Sequence, residues 1–348
     1  MSDFHKLTVA SVDSLTPNSV SLTFDIPANL IEVFSFSAGQ YITIKHLVNG
    51  KEVRRAYSIS STPSSGKLTV GIKKVEGGTF SVYANESIKT GDVLEVMAPD
   101  GRFVFTPETS SKNIVAFAAG SGITPIMSIA QTVLENPDSK FFMVYGNQTP
   151  EETMYLKEIQ KLQEKYGERF FVQYVYSKAT DANSLFGRIE TSTVNLIVKN
   201  KFKTIAFDGF YLCGPEAMIN TVSDTLKSNG IAEDKIHFEL FTTSDSKDTI
   251  TESLDGKTKV EILVDDETFH IEMDQKELIL DAVLKEDIDA PYSCQGGVCS
   301  SCIARVTEGK AEMEKNQILT DSEVAEGLIL TCQAHPITTT LKVDYDDV

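Results

Sequence analysis

Apolar and polar positions alternate with a period of two through the first hundred residues. Val20-Ser21-Leu22-Thr23-Phe24, Tyr41-Ile42-Thr43-Ile44-Lys45 and Leu68-Thr69-Val70-Gly71-Ile72 each follow the spacing of a strand with one buried face. Asn49-Gly50 and Ser64-Ser65-Gly66 separate these runs with residues suited to tight turns. Short strands with regular turns predict an antiparallel barrel or sandwich. Near Ser111 the pattern changes. Asn113-Ile114-Val115-Ala116-Phe117-Ala118-Ala119 is almost continuously apolar, as a strand covered on both faces requires. Helices are expected over 125–134, 151–165 and 218–226, and strands over 141–145, 170–176 and 210–213. That alternation predicts a parallel, doubly wound sheet. Thr, Ser, Asp, Glu and Lys dominate the segment 242–256, a linker composition. A hairpin over 259–263 and 268–273 and a short helix over 278–285 follow.

The length of 348 residues accommodates two or three domains, and 41% hydrophobic residues suffice for ordinary cores. No stretch approaches the roughly 20 apolar residues of a membrane-spanning helix. The N-terminus lacks an apolar signal core, so a cytoplasmic location is expected. A net charge of −18 argues against nucleic acid and anionic membranes as partners. The surplus is uneven: residues 257–348 carry 20 acidic and 8 basic side chains. That stretch reads either as a solvated acidic surface or as a docking face for a basic protein.

Four of the five cysteines cluster. Cys294-x4-Cys299-x2-Cys302, followed after 29 residues by Cys332, is the spacing of plant-type ferredoxin ligands, with four thiolates for the outer positions of two irons. Gly296 and Gly297 let the loop curl so that backbone N–H groups face sulfur. A four-cysteine zinc site is the alternative, although zinc sites usually pair two short knuckles. The fifth thiol, Cys213, reads as a core residue. The five histidines (His5, His46, His237, His270, His335) show no ligand spacing and read as structural or surface residues.

Four further motifs occur in order. Arg55-Ala56-Tyr57-Ser58 ends a strand and offers a phosphate partner, a flat ring and a hydroxyl. Lys74-x3-Gly78-x2-Ser81 is suited to opening a helix on a phosphate. Gly120-Ser121-Gly122-Ile123-Thr124-Pro125 joins the buried strand to a helix as a dinucleotide turn does, with Pro125 in place of the last glycine. Cys213-Gly214-Pro215 ends a later strand of the same sheet. Singly, each is weak, and an ordinary turn or core residue explains it.

Together the order resembles the ferredoxin-NADP reductase superfamily over about the first 240 residues. The cysteine loop, flanked by Ala290-Pro291-Tyr292-Ser293 and Leu328-Ile329-Leu330-Thr331, resembles plant-type 2Fe–2S ferredoxins over the last 90. The whole chain looks similar to the reductases that serve phenylacetyl-CoA epoxidase and hybrid-cluster protein. This resemblance implies a multidomain fold: an FAD-binding antiparallel β-barrel (1–108), a Rossmann-like α/β NAD(P)-binding domain (109–241), a linker (242–256) and an α+β β-grasp ferredoxin (257–348).

The resemblance also implies site residues. Arg55, Ala56, Tyr57, Ser58, Ile72, Lys73, Gly78, Thr79 and Ser81 would hold FAD, or FMN in its place. Gly120, Gly122, Thr124, Cys213, Gly214 and Pro215 would face NADPH or NADH. Tyr57, Ser58, Thr124, Cys213 and Glu239 would surround the reacting rings, with Phe241 nearby. Cys294, Cys299, Cys302 and Cys332 would hold the cluster. Electrons would run from NAD(P)H through flavin and cluster to a partner oxygenase, foremost a multisubunit di-iron epoxidase of phenylacetate degradation. Hybrid-cluster protein, a fatty-acid desaturase or another hydroxylase is the alternative acceptor. Gln148 stands where many NADP-users of the superfamily carry Arg, which leans towards NADH. The phenylacetyl-CoA epoxidase reductases lean towards NADPH.

Overall fold

The computed structural model describes residues 4–241 and 256–348, which fall into two compact units. The first comprises His5–Val53 and Tyr57–Phe241, and the second groups the described C-terminal residues with Phe4 and Arg54–Ala56. Of the expected linker, residues 242–255 lie outside the described residues.

Strands β1 (Phe4–Thr16), β2 (Ser19–Asp25), β3 (Tyr41–Val48), β4 (Lys51–Ser58), β5 (Leu68–Lys73) and β6 (Val93–Met97) form one sheet in the order β4-β3-β6-β1-β2-β5. Its two edge strands, β4 and β5, are brought together by an antiparallel bridge between Ile59 and Val70, which closes the sheet towards a barrel. The alternation seen in the sequence is the reason. Leu22, Ile42, Ile44, Val70 and Ile72 point into one core with no exposed surface. Full burial of each such side chain contributes about 1.5–3 kcal/mol. The β3–β4 hairpin turns on Asn49 and Gly50, with φ of 53° and 76°. Helix α1 (Thr79–Glu86) adds Phe80 and Ala84 to this core.

The remainder of the first unit is a parallel sheet of β7 (Asn113–Ala119), β8 (Lys140–Asn147), β9 (Phe170–Tyr176), β10 (Ser184–Phe186), β11 (Gly209–Cys213) and β12 (Ile236–Glu239). Helices α2 (Ile123–Glu135), α3 (Leu156–Tyr166), α4 (Thr191–Asn195) and α5 (Glu216–Ser228) make the crossovers. The order β10-β9-β8-β7-β11-β12 reverses direction at β7, whose neighbours β8 and β11 lie on opposite sides. Ligands of open α/β sheets bind at such a switch point, outside the carboxyl ends of the strands.

Helix α3 begins at Leu156 and not at residue 151, as the sequence pattern suggests. Tyr155 adopts φ +59° and so breaks the helical path. Its buried ring carries the hydroxyl to Ser60, donating to Oγ at 2.9 Å. Tertiary contact here overrides a helical pattern that would have run on.

The second unit holds β13 (Lys257–Val264), β14 (Glu267–Asp274), helix α6 (Ile279–Lys285), β15 (Ile303–Glu308), β16 (Ala311–Met313), helix α7 (Asp321–Ala325), β17 (Leu328–Leu330), β18 (Ala334–Pro336) and β19 (Thr340–Asp344). Five of the strands form a mixed sheet ordered β14-β13-β19-β15-β17, with β13 and β19 parallel. Ile279, Leu280 and Val283 of α6 are fully buried in the unit's core beside Val260, Ile262, Leu341 and Val343. A helix embraced by a mixed sheet is the α+β arrangement expected for this stretch.

Candidate redox site

Strand alternation at the end of β4 sets the first group of side chains. Arg55 is exposed and its guanidinium donates to Arg54 O at 2.7 Å. Tyr57, two residues on, is half-buried, its ring 5.7 Å from that of Phe80. Ser58 is buried and its Oγ donates to Glu239 Oε2 at 3.0 Å. Glu239 ends β12, in register with Cys213 at the end of β11. Burial pushes the Glu239 carboxyl up to about 8, against the opposing pull of the Ser58 hydrogen bond. Burial, reinforced by the Glu239 charge, likewise raises the Cys213 thiol. At neutral pH both groups are therefore protonated. Ser58 from the barrel and Cys213 and Glu239 from the parallel sheet thus come together within a single unit.

The expected phosphate turn opens α1, with Gly78 in extended backbone just ahead of it. Ser81 Oγ accepts from Val75 N at 3.2 Å, and a side chain at Gly78 would begin 2.4 Å from that oxygen. The Ser81 hydroxyl proton is thus left for another acceptor. The side chain of Ile72 lies wholly in the barrel core, so only its backbone can face a ligand. Its carbonyl already accepts from Asn85 Nδ2 at 3.3 Å.

At the switch point, Gly120 has φ +55°, and a side chain there would begin 3.9 Å from Lys73 Nζ. A side chain at Gly122 would begin 2.1 Å from Cys213 O, a separation no Cβ tolerates. Gly214 in turn abuts Ala119 N. The two glycine motifs therefore exist so that the β7–α2 turn and the end of β11 can touch. Thr124 Oγ1 donates to Ser121 O at 3.0 Å and braces the same turn. The sequence does not single out Lys178. Its backbone N–H donates to Gln148 O at 2.9 Å, which sets a cationic residue beside the position that lacks Arg.

In the second unit the four expected thiols converge. Cys294, Cys299 and Cys302 come from the loop between α6 and β15, and Cys332 from the connection between β17 and β18. Cys302 Sγ donates to Cys332 Sγ at 3.3 Å, and Gly296 N donates to Cys294 Sγ at 3.3 Å. Gln295 and Gly297 take positive φ and curl the loop. Thiol hydrogen bonds from Cys299 and Cys332 hold the Cys294 thiol far below its usual range. Cys299 and Cys332 are pushed up by their hydrogen bonds to neighbouring thiols and by burial. Among the described residues, no set of three or more His, Cys, Asp or Glu is arranged to hold a single metal ion.

A two-iron cluster is a larger body than one ion, and four soft thiols with no nitrogen or carboxylate donor suit it. One orphaned atom also fits. The Tyr345 hydroxyl is buried, with no partner in hydrogen-bonding geometry, in the core cluster that also contains Cys302 and Cys332. An unpaired buried hydroxyl costs about 1–3 kcal/mol. His335 is structural, as expected. It is buried, with its ring nitrogens 3.0 Å from Glu277 O and 2.8 Å from Glu314 Oε1.

A closed β-sheet, a switch-point dinucleotide turn and a four-thiol loop define a nucleotide-dependent redox protein with flavin and iron–sulfur modules. Family models agree. The oxidoreductase FAD-binding domain matches residues 6–105, the oxidoreductase NAD-binding domain 117–224, and the 2Fe-2S iron-sulfur cluster binding domain 262–336. The chain is 38% identical to one of the subunits of the 1,2-phenylacetyl-CoA epoxidase of Escherichia coli, covering 99% of both chains. It is 31% identical to the ferredoxin reductase component of 3-ketosteroid-9-alpha-monooxygenase of Rhodococcus rhodochrous, over 97% of this chain and 96% of that one. The fold is also that of phthalate dioxygenase reductase, with TM-score 0.59, 22% identity and 98% of each chain covered. The chain belongs to the family of ferredoxin-reductase-type oxidoreductases, reductase components of oxygenases that join FAD-binding, NAD-binding and 2Fe–2S domains.

Proposed function

We propose that this chain is the reductase component of a multisubunit di-iron epoxidase that acts on phenylacetyl-CoA. The observation that carries this reading is the 38% identity, over essentially the whole chain, to one component of a phenylacetyl-CoA epoxidase. A second reading, reduction of a different oxygenase, draws on the 31% identity to a steroid monooxygenase reductase. Among the described residues no helix is long and apolar enough to cross a membrane.

When bound, FAD supplies acceptance of a hydride from NAD(P)H and release of single electrons, and the 2Fe–2S cluster supplies their onward carriage. The chain supplies position and electrostatics. Arg55, with Gly78, Thr79 and Ser81 at the start of α1, would hold the FAD phosphates; the N–H groups of a helix N-terminus favour an anion. Ala56 and the backbone of Ile72 would line the flavin, and Tyr57 would cover its ring. Lys73, beside Gly120, stands where phosphate charge would collect. Gly120, Gly122 and Thr124 would shape the turn that takes the nucleotide pyrophosphate, while Cys213, Gly214 and Pro215 would border the nicotinamide. Burial of the Ser58–Glu239 pair would keep a proton at the carboxyl there. Cys294, Cys299, Cys302 and Cys332 would ligate the irons.

The test is reconstitution. Purified, oxygen-protected protein is mixed with the epoxidase's other components, phenylacetyl-CoA and either NADH or NADPH, and epoxide is measured. Product formed only with this chain and a nucleotide supports the reading. Bleaching of flavin and cluster without product would leave the second reading.

A further inference from the structure

We propose that Tyr155 is a positioning residue for hydride transfer: its hydroxyl, clamped on Ser60, holds the end of β4 at a fixed attitude to the nucleotide turn of the parallel sheet. The proposal rests on the reading that the flavin lies at Tyr57 and Ser58 and the nucleotide at Gly120–Thr124.

Tyr155 has φ +59°, the left-handed region, where a residue with a bulky side chain is strained. Such strain persists only where the surroundings over-determine it. Here the side chain is 6% exposed and belongs to the core that also contains Ile123 and Met127 of α2. Its hydroxyl donates to Ser60 Oγ at 2.9 Å. Burial pushes the phenol up, so it keeps its proton and stays the donor. Ser60 in turn donates to Thr69 O of β5 at 3.1 Å, so each hydroxyl proton has its own acceptor. Ser60 lies two residues beyond Ser58, and its neighbour is tied as well: Ser128 Oγ of α2 donates to Ser61 O at 2.7 Å. Gly71 of β5 packs against the same phenol. A side chain there would begin 2.6 Å from the Tyr155 hydroxyl and 2.8 Å from Thr124 Cγ2. One point thus joins the segment behind Ser58, the strand β5 and the turn that carries Thr124, all within the first unit. Hydride transfer is steep in distance and angle, so a clamp here governs the rate of transfer and not the affinity for either ring system.

The experiment compares the full chain, loaded with FAD and cluster, with Tyr155→Phe, Ser60→Ala and the double variant. Three quantities are read: the rate of flavin reduction at saturating NAD(P)H, the dissociation constant of the nucleotide, and hydrogen exchange of the backbone amides over 59–61. Each variant should keep its FAD, its iron and its nucleotide affinity. Y155F should reduce its flavin about tenfold more slowly and exchange those amides faster. S60A removes the same bond from outside that core, so it should show at least the same fall even where Y155F does not fold. In the double variant neither effect should exceed that of S60A, because the two changes delete one shared interaction. An unchanged reduction rate in folded Y155F or in S60A would overturn the proposal. So would effects that add in the double variant, or a loss of nucleotide affinity at an unchanged saturated rate, either of which would make Tyr155 a packing residue. Failure of the unsubstituted protein to reduce its flavin with either nucleotide would instead overturn the assignment of the two sites.

Discussion

Burial makes Glu239 a weak acid, and this has a measurable consequence. Its folded value of about 8 lies above the ordinary 4.5, so the folded chain keeps a proton that the unfolded chain releases. Below about pH 4.5 neither state is ionised and the protein has the full stability of this site. As pH rises through 8 that stability is lost, because the charged carboxylate must then be buried. The loss is on the order of a few kcal/mol. Denaturant midpoints of the flavin-loaded protein should fall between pH 6 and pH 8.5, and Glu239→Gln should flatten that slope. An equal slope in E239Q would assign it to other groups. The sequence marks Glu239 only by resemblance, because a glutamate at a strand end is usually solvated. What distinguishes it is the Ser58 hydroxyl at 3.0 Å, contributed from 181 residues away.

At the level of elements, the glycine turn between β7 and α2 is the tightest fit in the first unit. Gly122→Ala would drive a methyl group into Cys213 O, which stands 2.1 Å from where it would begin. The turn must then retreat from the end of β11. Misplacing a nucleotide by about 1 Å can cost about 100-fold, so reduction of flavin by NAD(P)H should fall by roughly tenfold to a hundredfold. FAD content should be unchanged, since the turn lies in the other sheet; loss of FAD would show a wider disturbance. The strongly periodic strands and long helices were legible in advance because each buries a continuous face. The strands β10 and β12, with three and four residues, are too short to show a period and sit at sheet edges. Tyr155 was illegible for another reason. Nothing local signals a left-handed residue there, and only its reach to Ser60 accounts for it.

For the whole molecule, charge is the property that reaches furthest. Several basic groups of the C-terminal unit are already paired: Lys257 with Glu272 at 2.8 Å, Arg305 with Asp347 at 3.0 Å, and Lys342 with Glu308 at 3.4 Å. The acidic surplus of residues 257–348 therefore stays on the surface. Raising salt from about 0.01 M to about 1 M shortens the screening length from about 30 Å to about 3 Å. Reduction of a protein acceptor should slow over that range, whereas reduction of a neutral dye should not. Equal salt dependence for both would argue against electrostatic docking. The sequence alone determined the three modules and their order, together with the four cysteines, because spacing, periodicity and glycine turns are local properties of a chain. Tertiary structure decided which distant groups meet: Ser58 with Glu239, Gly122 with Cys213, and Cys302 with Cys332. Burial and the loss of water create those pairings, and neither exists before the chain has packed.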